Sequence, residues 1–220
     1  MPVIELRQYT LRPGRRDELI ALFEREFVES QEATGMTLIG QFRDLDDPDR
    51  FVWLRAFPDM EARRRSLEAF YDGPVWRAHR DAANATMVDS DDVLLLRPAD
   101  FEAGFHPGDR APAGAAVAGQ GRVIAGVHAL GGPDDSLPDR FRRTAAEALR
   151  KAGAGSVAAF VTETAVNTFP RLPIREGKRV LVWFATFAEP ARADAAGSIF
   201  PDQSIQRLRL EPTARSRLHG

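Results

Sequence analysis

The chain has 220 residues, 44% of them hydrophobic, with a formal net charge of −2. This length and apolar content suit one or two globular domains with real cores, and the near-neutral balance gives no electrostatic reason to expect nucleic acid or an anionic membrane. Cysteine is absent, which excludes disulfides, thiolate nucleophiles and cysteine metal sites.

Residues 3–11 alternate, with Ile4, Leu6 and Gln8 on one face and Glu5, Arg7 and Tyr9 on the other, which is the period of a strand. Pro13-Gly14 breaks it. A helix is predicted over 16–34, where Leu19, Ile20, Phe23 and Phe27 recur at helical spacing and Gly35 supplies the stop. Strands are predicted over 37–42 and 51–57, separated by a polar turn around Pro48. Helical stretches follow over 60–70 and 75–87, then a strand over 93–97. The order βαββαβ is the ferredoxin-like plan.

Residues 99–121 are rich in glycine and alanine without periodicity and read as a linker. The cycle then restarts. A strand over 123–130 precedes a helix that Ser136 caps, with Asp139 in capping-box position, and that Gly153 ends. Strands are predicted over 157–163, 180–187 and 205–210, and residues 167–177 form a long connection with Pro170 and Pro173. The segment between the last two strands is 58–92 in the first unit but only 188–204 in the second, which has therefore lost most of its second helical region.

The two units are a repeat. Phe51-Val52-Trp53-Leu54-Arg55-Ala56-Phe57 is echoed by Leu181-Val182-Trp183-Phe184-Ala185-Thr186-Phe187, and the flanking strands follow in register. The organisation is thus a first unit over 1–98, a linker over 99–121, a second unit over 122–212 and a tail over 213–220. Its fold class is α+β: two tandem ferredoxin-like units forming a pseudo-dimeric α/β barrel.

A sheet covered by helices on one side buries that side with apolar residues. Ile4, Leu6, Leu38, Phe42, Val52, Leu54, Leu94 and Leu96 form one such set and are expected beneath the helices. The opposite parity carries Glu5, Arg7, Tyr9, Gln41, Arg43, Phe51, Trp53 and Arg55. The matching positions of the second unit are Ile124, Gly126, His128, Ala159, Val161, Glu163, Leu181, Trp183 and Ala185. If these faces meet between the sheets they enclose either an aromatic-walled ligand cavity or a network in which Arg7, Arg43 and Arg55 pair with Glu5 and Glu163.

Ile4-Glu5-Leu6-Arg7-Gln8-Tyr9-Thr10-Leu11-Arg12-Pro13-Gly14 resembles the opening of NIPSNAP domain proteins. Trp76-Arg77-Ala78-His79-Arg80-Asp81-Ala82-Ala83-Asn84-Ala85-Thr86-Met87, ahead of Leu95-Leu96-Arg97-Pro98, is similar to the same family. Asn167-Thr168-Phe169-Pro170-Arg171-Leu172-Pro173-Ile174-Arg175-Glu176-Gly177 is similar to a stretch of its bacterial members. The resemblance implies the dimeric α/β-barrel superfamily, with the tandem repeat standing in for two subunits. That superfamily includes cofactor-free monooxygenases, small isomerases, cyclases and some haem enzymes. The resemblance carries fold strongly and chemistry weakly.

His128, at the place matching Tyr9, is a candidate general base, or else a buried histidine bonded to a carboxylate such as Glu163, or a pocket wall. Glu163 is a second acid–base candidate, or a salt-bridge partner of Arg43. Trp76 and His79 share a helical face and with Tyr71 form either a lid over the cavity or a packing surface. His106 and His219 are expected in solvent. Residues 44–49 look like a calcium loop but lack its glycine and glutamate and read as a turn. Arg63-Arg64-Arg65 reads as a solvated helix face.

The expected function is a small-molecule enzyme that holds a planar, partly anionic substrate between the two sheets. Trp53, Trp183 and Tyr9 stack on it, Arg7, Arg43 and Arg55 hold its oxygens, and His128 or Glu163 moves a proton. The chemistry is cofactor-independent oxygenation, isomerisation or cyclisation. The alternative is a non-catalytic ligand-binding or scaffold protein. No metal or cofactor is expected, and haem is a third possibility that colour would reveal. The opening five residues lack a basic or long apolar stretch, so no signal peptide is read there. A cytoplasmic homo-oligomer is expected.

Overall fold

Period-two alternation forms strands close to where it predicts them. The computed structural model describes residues 1–100, 104–105, 107–115, 119–132, 135–200 and 204–220. The first unit contributes β1 (Val3–Leu11), β2 (Thr37–Asp44), β3 (Arg50–Phe57) and β4 (Met87–Pro98), and the second β5 (Arg122–Ala129), β6 (Ser156–Thr162), β7 (Val180–Phe187) and β8 (Ser204–Pro212). The helices are α1 (residues 16–32), α2 (Met60–Tyr71), α3 (Pro74–Thr86), α4 (residues 137–151) and α5 (Pro190–Ala196). Both α1 and α4 contain a π-helical turn at the equivalent place, Phe23–Phe27 and Phe141–Ala145. Single π turns of this kind widen a helix locally and are frequent beside functional sites.

Among the described residues, the eight strands close into one antiparallel barrel in the order β1-β3-β2-β8-β5-β7-β6-β4. Each unit supplies a four-stranded sheet, and two short seams join them. Phe42, Arg43 and Asp44 pair with Pro212, Glu211 and Leu210, while Leu96, Arg97 and Pro98 pair with Thr162, Val161 and Phe160. The second unit keeps only the short α5 where the first has α2 and α3, as its shorter sequence requires.

The parity of the sheets is the reverse of the sequence expectation. Ile4, Leu6, Phe42, Val52, Leu54, Leu94 and Leu96 point into the barrel, where they meet Val123, Ala125, Val127, Phe160, Val182 and Phe184 of the second unit. An eight-stranded barrel is just narrow enough for side chains to fill it, and these aliphatic and aromatic groups do so. Trp53, Phe51 and Tyr9 lie outside the barrel wall, beneath α1, α2 and α3. Trp183, Leu181 and Ile124 lie outside it on the second unit, against α4 and α5. The physical reason is that both parities are apolar enough to be buried. The purely aliphatic one is the better filling for a closed interior that offers few polar partners, because unpaired charge there would be costly.

Leu38 departs from its set. A register shift between Leu38 and Gly40 pairs Leu38 with Arg55 and Gly40 with Leu54, so Leu38 turns outward and Gly40 inward. A Cβ on Gly40 would lie 2.4 Å from the Phe42 ring, which crosses that space. Described residues of the linker and tail pack onto the barrel and α1. Phe105 packs on Phe160 and Phe184 at ring distances of 4.7 and 5.2 Å, and Leu218 joins the barrel core. Arg215 of the tail pairs with Glu29 on α1. The cap of α4 is also corrected: Ser136 makes no side-chain cap, and the Leu137 N–H donates instead to Asp135 at 2.8 Å.

Candidate functional site

The polar side chains of β1 and β3 gather under the helices of the first unit. Glu5, Arg7 and Arg55 come from adjacent strands, where Glu5 is paired with Arg55 and Arg7 with Trp53. Arg63 descends from α2. The Glu5 carboxylate accepts from Arg7 Nη1 at 2.9 Å, Arg55 Nε at 2.7 Å and Arg63 Nε at 2.7 Å. All four side chains are buried to within 1% exposure. Neutral acceptors take further donors: Gln31 receives Arg55 Nη1 at 2.9 Å, and Asn167 receives Arg63 Nη1 at 3.0 Å. One carboxylate therefore faces three guanidiniums, a local surplus of positive charge.

Burial alone would raise the Glu5 carboxyl, but Arg55, Arg7 and Arg63 together hold it well below the usual carboxylate range. Burial pushes Arg63 down against the pull of Glu5. Tyr9 is raised by burial in spite of Arg7, whose Nε donates to its oxygen at 3.2 Å, so its phenol stays protonated and able to donate. The Arg7 and Arg55 guanidiniums also stand 5.5 and 5.0 Å from the Trp53 ring.

Two adjoining cavities open above this cluster. The inner one, about 30 Å³, lies between Trp53 and Tyr9 on the sheet and Phe23, Phe27, Phe70 and Trp76 on the helices. Trp53, whose buried indole N–H meets no acceptor among the described residues, lines it. The outer one, about 260 Å³, is lined by Arg7, Tyr9, Tyr71, Trp76, Asn84, Met87, Phe169 and Arg171, among others. Both share Tyr9, Tyr71, Trp76 and Met87, so they form one chamber with a narrow foot and a wider mouth.

The far wall of that chamber comes from the second unit. The connection between β6 and β7 crosses the seam and lies over α2. Thr168 donates to the Met60 carbonyl at 3.1 Å, Phe169 stacks on Tyr71 with ring centroids 5.9 Å apart, and Arg171 pairs with Asp72 at 2.9 Å. Farther along, Arg175 pairs with Asp92 of β4 at 2.7 Å.

Among the described residues, the second unit has no counterpart of the cluster. By register with the paired tryptophans, Gly126 stands where the first unit has Arg7, and Ile124, His128 and Ala185 replace Glu5, Tyr9 and Arg55. A Cβ at Gly126 would meet the Trp183 indole at 2.5 Å. The Trp183 N–H instead donates to His128 Nε2 at 2.8 Å, and Phe141 stacks over the indole. That space is filled by packing.

The candidates named from sequence thus divide. Arg7, Tyr9, Trp53, Arg55, Tyr71 and Trp76 come together, though beneath the helices and not between the sheets. His79 is not among the residues lining either cavity: its Nε2 lies 3.4 Å from Glu26 and its ring beside Phe27. His128 and Trp183 form a separate buried pair on the second unit. Arg43 does not reach Glu163: its guanidinium pairs with Asp17 on α1 at 2.8 Å. Glu163 accepts the Ala165 N–H at 2.8 Å in a turn just past β6. His219 is exposed as expected, and His106 lies outside the described residues.

Sequence reasoning missed Arg63, Gln31 and Asn167. Arg63 is the corrected member of the basic triplet, buried while Arg64 and Arg65 pair with Glu61 and Glu68 at the surface. Helical spacing carried the signal, because Arg63 shares a face with Leu67 and Phe70.

This architecture, a closed barrel of two four-stranded sheets with helices outside, is of the dimeric α/β-barrel type held within one chain. Residues 4–103, which span most of the first unit, match the NIPSNAP family model. A proposed monooxygenase from Fusobacterium nucleatum shares the whole fold, with TM-score 0.63 and 9% identity over 100% of this chain and 95% of its own. Another from Lactobacillus acidophilus aligns at TM-score 0.54 and 13% identity, over 98% and 97% of the two chains. A NIPSNAP-like domain protein from Burkholderia xenovorans is 29% identical over 48% of this chain and 92% of its own, with TM-score 0.44. No curated protein matches the chain.

Proposed function

We propose that the first unit's chamber binds a planar, partly anionic organic molecule and that the protein acts on it without a cofactor. The observation that carries this reading is a buried cluster with surplus positive charge, one member of which, Arg7, lines the aromatic-walled outer cavity. Three guanidiniums against one carboxylate are costly to bury, and an anion seated on Arg7 offsets that cost. Tyr71, Trp76 and Phe169 supply flat faces for a ring. Tyr9, kept protonated, donates to a developing oxyanion or returns a proton to it, while Arg7 stabilises the charge. These groups replace His128 and Glu163, which do not line the chamber. The reaction class remains oxygenation, isomerisation or cyclisation, and the names of the two full-length structural neighbours favour oxygenation. A cytoplasmic protein that associates into homo-oligomers belongs to the same proposal.

A second reading is non-catalytic ligand binding. It is favoured by the inner cavity, whose lining contains no histidine or carboxylate to serve as a base. A panel of planar hydroxyaromatics and aromatic acids, followed by calorimetry, absorbance and an oxygen electrode, separates the two. For an enzyme, Tyr9→Phe is expected to lower turnover about 100-fold with affinity nearly unchanged. Binding without turnover across the panel would leave the second reading standing. No binding by any member would defeat both.

A further inference from the structure

We infer that the ligand of this chamber is an aromatic acid of one or two rings, with its carboxylate on Arg7 and its rings against the cavity-facing sides of Trp76, Tyr71 and Phe169. The inference rests on the reading that the chamber holds a planar anion, and it adds the nature of the anionic group and the size of the ring system.

The first ground is donor geometry. A guanidinium has five N–H donors in a planar fork. Arg7 commits three, to Tyr9, Glu5 and the Ser90 carbonyl, and the last contact is long at 3.4 Å. The remaining capacity lies on a side chain that lines the outer cavity, and a carboxylate is the anion whose two oxygens match such a fork.

The second ground is charge. The guanidiniums cannot be neutralised near neutral pH, so the complementary partner is one that stays ionised there. A carboxylic acid does so. A simple phenol, with a pKa of about 10, does not. The Tyr9 hydroxyl beside Arg7 then offers a third donor.

The third ground is size. A cavity of about 150 Å³ holds one benzene ring, and the outer cavity here is about 260 Å³. One ring or a fused pair fits with its carboxylate. A third fused ring would have to extend beyond that volume, since Phe169 on one wall is buried in the helix-side core.

The test is a calorimetric titration of the full chain with three matched probes: 2-naphthoate, 2-naphthol and anthracene-2-carboxylate. The expected result is that 2-naphthoate binds at least tenfold tighter than either of the others. Arg7→Met should reduce its affinity to that of 2-naphthol. Because Arg7 also holds Glu5 and this variant can fail to fold, Asn84→Trp is the second variant: it fills the mouth from an exposed position and should abolish binding with the circular dichroism unchanged. Naphthol binding as tightly as naphthoate would overturn the carboxylate assignment, and equal binding of the tricyclic acid would overturn the size limit, both leaving the general reading intact. Full naphthoate affinity in Asn84→Trp would overturn the location. If none of the three probes binds, this inference and the reading beneath it both fall.

Discussion

At the scale of single residues, Glu5 organises the site. It is the carboxylate that three buried guanidiniums share, so Glu5→Gln leaves them facing one another. Removing one member of a buried ionic cluster costs about 3–5 kcal/mol, and urea unfolding should show a loss of that order. The pH dependence has a defined sign. The folded carboxyl resists protonation, whereas in the unfolded chain it takes a proton near its ordinary value of about 4.3. Its contribution is therefore complete above that value and is lost progressively as the pH falls through and below it. The wild-type urea midpoint should decline from about pH 5 downward, and the Gln variant should show a shallower decline. Equal slopes would mean that Glu5 is not held ionised by its neighbours. The sequence showed that Glu5, Arg7, Tyr9 and Arg55 share one face, and it placed Glu5 among the partners of those arginines. It could not show which side of the sheet that face occupies. It also concealed Arg63, because the adjacent Arg64 and Arg65 make the triplet look uniformly solvated.

At the scale of elements, the segment between β6 and β7 is where the two units become one site. Its contacts differ in kind. Phe169 is buried against Tyr71 and the helix-side core, whereas the Arg171–Asp72 pair is more than half exposed. Phe169→Ala should cost up to about 3 kcal/mol and loosen the segment, which amide exchange over residues 167–172 would detect. Arg171→Ala should cost less than about 1 kcal/mol. The reverse order would show that the segment is pinned by charge and not by packing. Element positions were largely legible, with β1 and β7 matching their predicted bounds, because period-two alternation is a local property. β4 begins at Met87 rather than at residue 93, since its first half has an acidic, exposed sequence and owes its extended form to pairing with β1. Such pairing is set by distant residues and leaves no local periodicity.

At the scale of the whole molecule, the repeat made the architecture readable. Two echoing tryptophan strands and a shortened second unit are properties of the sequence, and both reappear as a pseudo-symmetric barrel with one truncated half. The choice between the two faces was not readable, because it depends on which surface the other half presents. The aliphatic faces of the two units bury each other inside the barrel, so a unit alone in water would leave its face uncovered. Residues 1–98 produced by themselves would expose Ile4, Leu6, Val52, Leu54 and Leu96. Sedimentation should find that fragment dimeric or larger, with the second copy covering the face that the second unit covers in the full chain. A folded, monodisperse monomer of the fragment would contradict the account of how the barrel is closed.

We place the ligand site outside the barrel wall, under the helices of the first unit. A crystal structure of the full chain with 2-naphthoate tests it most directly. Density is expected for the carboxylate within hydrogen-bond distance of Arg7 and for the rings against the cavity-facing sides of Trp76, Tyr71 and Phe169. Density inside the barrel, among Val52, Val127 and Phe184, or an empty chamber at saturating ligand, would contradict it.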